Sequence, residues 1–392
     1  MKRREFLNGL AAVGSATALD LAFGHASVAW AAPAGADYRK LLVLIELKGG
    51  NDGLNTLVPY ADPTYYALRP KLGIPREAVL QLSDRAGLHP SLAALLPLWH
   101  DRQMAVLQGV GYDDPNLSHF RSIEIWDTAS DTSTYLQDGW LTRTFANAAT
   151  PRDFAADGVI IGTNDLGPLS GSGTRAIALA NTDQFLRQAK LANPEGHARN
   201  RALEHILKVE ADVLQAASHL NGHHDFATSF PQTAFGNAIR TAAQVVANPA
   251  GVAVVRVTLN GFDTHSGQPG TQERLLREFA EGLAALRAAM IELDRWNDTL
   301  VLTYAEFGRR PRENLSQGTD HGTANVHFAL GGNVRGGMYG AAPALDRLDG
   351  NGNVAHAIEF RSVYATVLES WWGVPSRSTL GGSFKPVPFL RA

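Results

Sequence analysis

The run Leu41-Leu42-Val43-Leu44-Ile45-Glu46-Leu47 limits the folds open to this chain more than any other feature, because it is apolar at odd and even positions alike and stops at Gly49-Gly50. Successive side chains of a strand point to opposite faces, so such a strand must be covered on both sides. The same pattern recurs at Met104 to Leu107, Val159 to Ile161, Gly251 to Leu259 and Thr299 to Tyr304. Between the last two, Leu275, Leu276, Phe279, Leu283, Leu286, Met290 and Leu293 fall three and four apart, which predicts an amphipathic helix over Gln272 to Asp294. Strand, long helix and strand make a βαβ unit with parallel strands. The expected fold is therefore α/β: a mainly parallel central sheet with helices on both faces.

Val326 to Leu330, closed by Gly331-Gly332, reads as a further strand, and Ser91 to His100 as a short helix. Arg361 to Trp372 reads as a final amphipathic helix with its Trp pair against the core. A single domain is expected over about residues 38–392. Between Ala180 and Ala247 the composition changes; Phe185 to Leu220 is helical, interrupted at Pro194-Glu195-Gly196, and reads as a helical insertion (about 180–247) on one side of the sheet.

Residues 1–31 read as a leader. Met1-Lys2-Arg3-Arg4-Glu5-Phe6-Leu7 joins an Arg pair to Phe-Leu, and the following stretch, Leu10 to about Phe23, is broken by Gly14, Ser15, Thr17 and Asp20. Ala29-Trp30-Ala31 then places small residues where a signal peptidase cuts. The Arg pair and the weak apolar stretch resemble a twin-arginine signal. Export in folded form through the twin-arginine translocase is expected, to the periplasm or beyond. A membrane span needs about 20 apolar residues, and none is expected in the mature form.

The chain has no cysteine, which excludes disulfides, thiolate metal sites and cysteine nucleophiles. Its 35 Lys+Arg and 38 Asp+Glu, without a basic run, argue against a nucleic-acid partner. A dinucleotide glycine fingerprint and a haem attachment motif are both lacking, which argues against a redox cofactor.

In a parallel sheet, ligands bind beyond the carboxyl ends of the strands. Polar residues gather at those ends: Gly49-Gly50-Asn51-Asp52-Gly53, Asn260-Gly261-Phe262-Asp263-Thr264-His265, Glu306-Phe307-Gly308-Arg309-Arg310 and Gly318-Thr319-Asp320-His321-Gly322. Each alone has an ordinary reading, with Asp52 a turn former, Asp263 and Glu306 caps, and His321 a buried imidazole. Several carboxylates converging in one cleft need a cation, a proton or basic residues between them. Without thiolates, oxygen ligands with one or two imidazoles suit Zn²⁺, Mn²⁺, Mg²⁺ or Ca²⁺. Ser118, in Asn116-Leu117-Ser118-His119-Phe120, precedes a helical stretch from about Arg121. It is either an N-cap or a metal-activated nucleophile beside helix-start N–H groups that hold an oxyanion.

Glu46-Leu47-Lys48-Gly49-Gly50-Asn51-Asp52-Gly53-Leu54-Asn55-Thr56, Ser118-His119-Phe120, Phe262-Asp263-Thr264-His265, Glu306-Phe307-Gly308-Arg309 and Gly318-Thr319-Asp320-His321-Gly322, in that order, resemble the family catalogued as domain of unknown function 1501 over essentially the whole mature chain. That family is similar to the alkaline phosphatase and sulfatase superfamily, which implies an alkaline phosphatase-like fold and a metal centre. The resemblance implies that Asp52 is the metal aspartate after the first strand and Ser118 the nucleophile. It implies that Asp263 and His265 are the Asp and His of one metal site, and that His321 is the last metal histidine. Glu306-Phe307-Gly308 stands where the superfamily has Asp-His-Gly. This removes one imidazole and makes a single metal, or a harder cation held by oxygens, the simpler expectation.

Two functions follow. The first is metal-dependent hydrolysis of a small phosphate or sulfate ester, with Ser118 attacking, Asp52, Asp263, His265, Glu306 and His321 holding the metal, and Arg309 orienting the anion. The second is a non-catalytic envelope protein for binding or assembly that retains the fold.

Overall fold

The structure, a computed structural model, describes residues 35–179 and 223–391. Strand β1 (Leu41–Lys48) is covered on both sides, as its composition requires: Leu41, Val43, Ile45 and Leu47 join one core, and Leu42 and Leu44 the other. The remaining strands of its sheet are β2 (Met104–Gly111), β3 (Ala156–Ile161), β4 (Ala176–Leu179), β5 (Val252–Asn260), β6 (Thr299–Tyr304), β7 (Asn325–Leu330), β8 (Gly337–Tyr339) and β9 (Ile358–Glu359). Their spatial order is β8-β2-β7-β6-β1-β5-β3-β4, with β9 also pairing with β2. Strands β6, β1, β5, β3 and β4 are parallel, whereas β7 runs antiparallel to both its neighbours, β2 and β6.

Short helices α1 (Gly53–Thr56) and α2 (Pro63–Leu68) follow β1. Helices α3 (His119–Thr128) and α4 (Trp140–Asn147) cover one face, together with α7 (Phe360–Ala365). The other face carries α5 (Ala234–Val246) and α6 (Gln268–Glu292). The α/β class and the mainly parallel sheet therefore stand as the sequence implies.

Two expected helices are less regular than their patterns. Residues 90–95 wind as 3-10 helix before Leu96–His100, because Pro97 cannot donate into a continuous α-helix. The final helix is α only to Ala365 and then widens to a π-helix over Thr366–Trp371, with Trp371 and Trp372 buried. The expected leader at residues 1–31 and the helical stretch Phe185 to Leu220 lie outside the described residues. No described helix is long and apolar enough to cross a membrane.

Because β1, β5 and β6 are parallel neighbours, their carboxyl ends open on one edge of the sheet. The reversed β7 presents its amino end there. Phe262 N–H donates to the Lys48 carbonyl at 3.0 Å, drawing together the loops that follow β1 and β5. Gly49 makes that approach possible: its φ is +111°, and a Cβ there would lie 2.4 Å from the Asp263 nitrogen.

Candidate metal centre

Four elements deliver side chains to this edge. Asp263 and His265 follow β5, and Glu306 follows β6. His321 sits in a two-residue antiparallel ladder, Gly308–Arg309 against His321–Gly322. His119 opens α3, which is anchored to the end of β6 by the Ser122 hydroxyl donating to the Glu306 carbonyl.

Asp263 lies at the centre. Its Oδ1 is 3.1 Å from His265 Nε2 and 3.2 Å from His321 Nε2, and those two nitrogens are 3.0 Å apart. His119 Nε2 is 3.4 Å from the other oxygen, Oδ2. His119, Asp263 and His321 each offer a ligand atom within 4.8 Å of the others, a possible metal site. Ligand atoms around a tetrahedral Zn²⁺ at about 2.0–2.1 Å stand roughly 3.3 Å apart, and the distances from the Asp263 oxygens to the three Nε2 atoms, 3.1, 3.2 and 3.4 Å, are close to that.

The far sides of the rings decide which protons they carry. His321 Nδ1 is 2.8 Å from the Leu117 carbonyl, which only accepts, so Nδ1 carries the hydrogen. His119 Nδ1 is 2.9 Å from Glu306 Oε1 and donates for the same reason. In their neutral forms both rings turn a bare Nε2 toward the Asp263 carboxylate. Lone pairs facing lone pairs need positive charge between them, from protons or from a cation. An imidazole fixed through its other nitrogen by a carboxylate or a carbonyl is how histidine ligands are usually held.

The electrostatics agree. The Glu306 hydrogen bond, outweighing burial, raises the pKa of His119, while burial lowers that of His321. Burial pushes the Asp263 carboxyl up, but the Arg309 hydrogen bond and charge, with the His321 bond and the His119 charge, outweigh it and hold the group at about 2. Asp263 is therefore an anion at any working pH.

The other expected residues are distributed around this cluster. Arg309 is buried and spends its guanidinium on the protein: Nε on the Gly50 carbonyl, Nη1 on that of Thr319, and Nη2 on Asp263 at 2.7 Å and on the Gly49 and Phe262 carbonyls. It orients Asp263 and ties the loops together. Glu306 stands behind His119; its Oε1 also accepts from Gly49 N–H, and its Oε2 is buried without a partner among the described residues. Asp52 is not brought into the cluster. It is buried, its oxygens accept from Arg69 at 2.6 and 3.0 Å and from Gln268 at 2.5 Å, and it caps α1 through Leu54 N–H. Ser118 occupies the N-cap of α3 but makes no capping hydrogen bond, and it is exposed between Leu117, which holds His321, and His119.

His119 is the residue that reading strand ends overlooks, because it comes from the first turn of a helix. Its only signal is its place beside Ser118. Phe307, standing where an imidazole was expected, packs its ring 4.9 Å from that of His119 and 4.3 Å from that of His321, measured between centroids. It forms an apolar wall beside both.

An α/β sheet with an acid and imidazoles at its carboxyl edge is the class that fold and site define. The chain belongs to the family described as "Protein of unknown function (DUF1501)", whose sequence pattern matches residues 39–381. No curated protein sequence matches it. Among solved structures it is similar to the PsFucS1 sulfatase from Pseudoalteromonas sp., with TM-score 0.39 and 10% identity over 89% of this chain and 70% of that one. It is similar to the phosphonate monoester hydrolase of Agrobacterium radiobacter, with TM-score 0.39 and 9% identity over 89% and 78%. It is also similar to alkaline phosphatase from the Antarctic bacterium TAB5, with TM-score 0.37 and 11% identity over 76% and 94%.

Proposed function

We propose that this chain is an exported, metal-dependent hydrolase of phosphate or sulfate esters, with the ion held by Asp263, His265, His321 and His119. The observation that carries the reading is the geometry of His119 and His321: each ring is held through Nδ1, and both direct Nε2 at one carboxylate. Three imidazoles and one carboxylate suit Zn²⁺ or a similar transition ion better than Mg²⁺ or Ca²⁺, which prefer oxygen. Such an ion supplies the positive charge that holds an anionic ester and steadies the charge that develops on it.

The chain's own groups do the rest. Ser118, uncapped and exposed, attacks phosphorus or sulfur; the bond to the ester oxygen breaks, and the alcohol leaves with the serine's proton. Water then releases phosphate or sulfate and restores the hydroxyl. The first-turn N–H groups of α3 lack intrahelical partners and suit the oxygens of the transferred group. Arg309 acts as a positioning residue, through Asp263.

Protein purified without chelator should contain a transition metal, and Asp263→Asn should lose it. With Zn²⁺ or Mn²⁺, 4-nitrophenyl phosphate or sulfate should be turned over, and Ser118→Ala should reduce turnover at least about a thousandfold while retaining the metal. Bound metal without turnover of either ester would favour the envelope binding or assembly protein. Metal-free wild-type protein that also fails to take up Zn²⁺ would sink the proposal.

A further inference from the structure

A cavity of about 290 Å³ opens at the same edge, over β2 and β7. This is at the lower end of ligand sites, which span roughly 300–1,000 Å³. Its walls are mostly apolar, formed by Leu54, Leu57, Val326 and Val354, with Ala342 exposed at the rim. Three buried polar residues line it, of which Arg309 and Asn325 are hydrogen-bonded within the protein. Gln108 is 7% exposed, and its amide has no hydrogen-bond partner among the described residues.

A bulge places Gln108 there. His327 pairs with Leu107 and Asn325 with Val110, so Gln108 and Gly109 together oppose the single residue Val326. Gly109, at φ +64°, takes up the kink. Such bulges re-aim side chains. The Gln108 carboxamide, which makes no hydrogen bond to the described residues, can donate to or accept from a group that enters the cavity. Arg309 also lines the cavity and bonds to Asp263 at 2.7 Å, so cavity and cation cluster share a wall.

We propose that this cavity binds a small uncharged organic group, apolar over most of its surface, with one hydrogen-bonding oxygen or nitrogen for Gln108. Given the ester-hydrolase reading, on which this part rests, that group is the alcohol portion of the substrate.

Benzamide, a neutral ring with one carboxamide, is a direct probe that needs no metal. Titrated by ligand-observed NMR into the full mature chain, it should bind the wild type. Ala342→Trp, which fills the rim without touching the core, should abolish binding, and Gln108→Leu should weaken it about fivefold. No binding to wild type, or equal binding to all three proteins, overturns the proposal. A parallel arm uses Zn²⁺-loaded protein: Ala342→Trp should raise KM for 4-nitrophenyl phosphate and leave inhibition by inorganic phosphate unchanged. If benzamide behaves as expected but no ester is turned over, the cavity assignment stands and the hydrolase reading falls.

Discussion

Asp52 is buried and bonded on both oxygens to Arg69 and Gln268, whereas Asp263 is about half exposed and surrounded by three imidazoles and Arg309. Both follow a sheet strand and precede a polar turn, so their sequences look alike. What separates them is Arg69, whose Nε and Nη2 also hold the carbonyls of Pro311 and Arg310. No local signal joins Arg69 to Asp52 in the sequence. Removing one partner of a buried pair strands the other, so Arg69→Met should cost about 3–5 kcal/mol in urea denaturation. Asp52→Asn, by contrast, should leave the metal content unchanged if Asp52 is structural.

The turn after β1 is the element on which the site depends. Gly50 has φ +78°, and a Cβ there would lie 2.5 Å from ring carbons of Phe307. Gly50→Ala should therefore strain the backbone and push Phe307 against the imidazoles it abuts, costing about 1–3 kcal/mol of stability. It should also weaken Zn²⁺ affinity about tenfold in competition titration; unchanged affinity would mean that Phe307 does not support the cluster. Among the strands, β6 was legible to the residue because an apolar run and its flanks define it. β8, only partly buried, carries no such pattern and is held by pairing with β2. The direction of β7 was not legible either, since a buried strand reads the same both ways.

At the scale of the molecule, burial without compensation sets the pH response. His327 lies in the core with Nε2 unpartnered among the described residues, and burial depresses its pKa to about 3; burial likewise lowers His89 to about 4. The unfolded chain protonates these rings near 6.5. Between that value and the folded ones it binds more protons than the native state, so stability is full above about pH 6.5 and is lost as pH falls through the window. Between pH 7 and pH 5, His327 alone should remove about 2 kcal/mol. Urea denaturation of His327→Leu at both values should show a loss smaller by about that amount, and equal losses would refute a neutral buried imidazole.

The sequence by itself determined the layered α/β fold, because side-chain periodicity and two-sided apolar strands are local properties that leave few packings open. It also named the loops that line the sheet edge, since strand ends can be read from where apolar runs stop. Only the tertiary structure decided which acids and imidazoles in those loops meet. That choice rests on ring orientation, on Arg309 gathering Asp263, and on a helix start bringing in His119. Such contacts join residues up to about two hundred positions apart, and no pattern within a single segment encodes them.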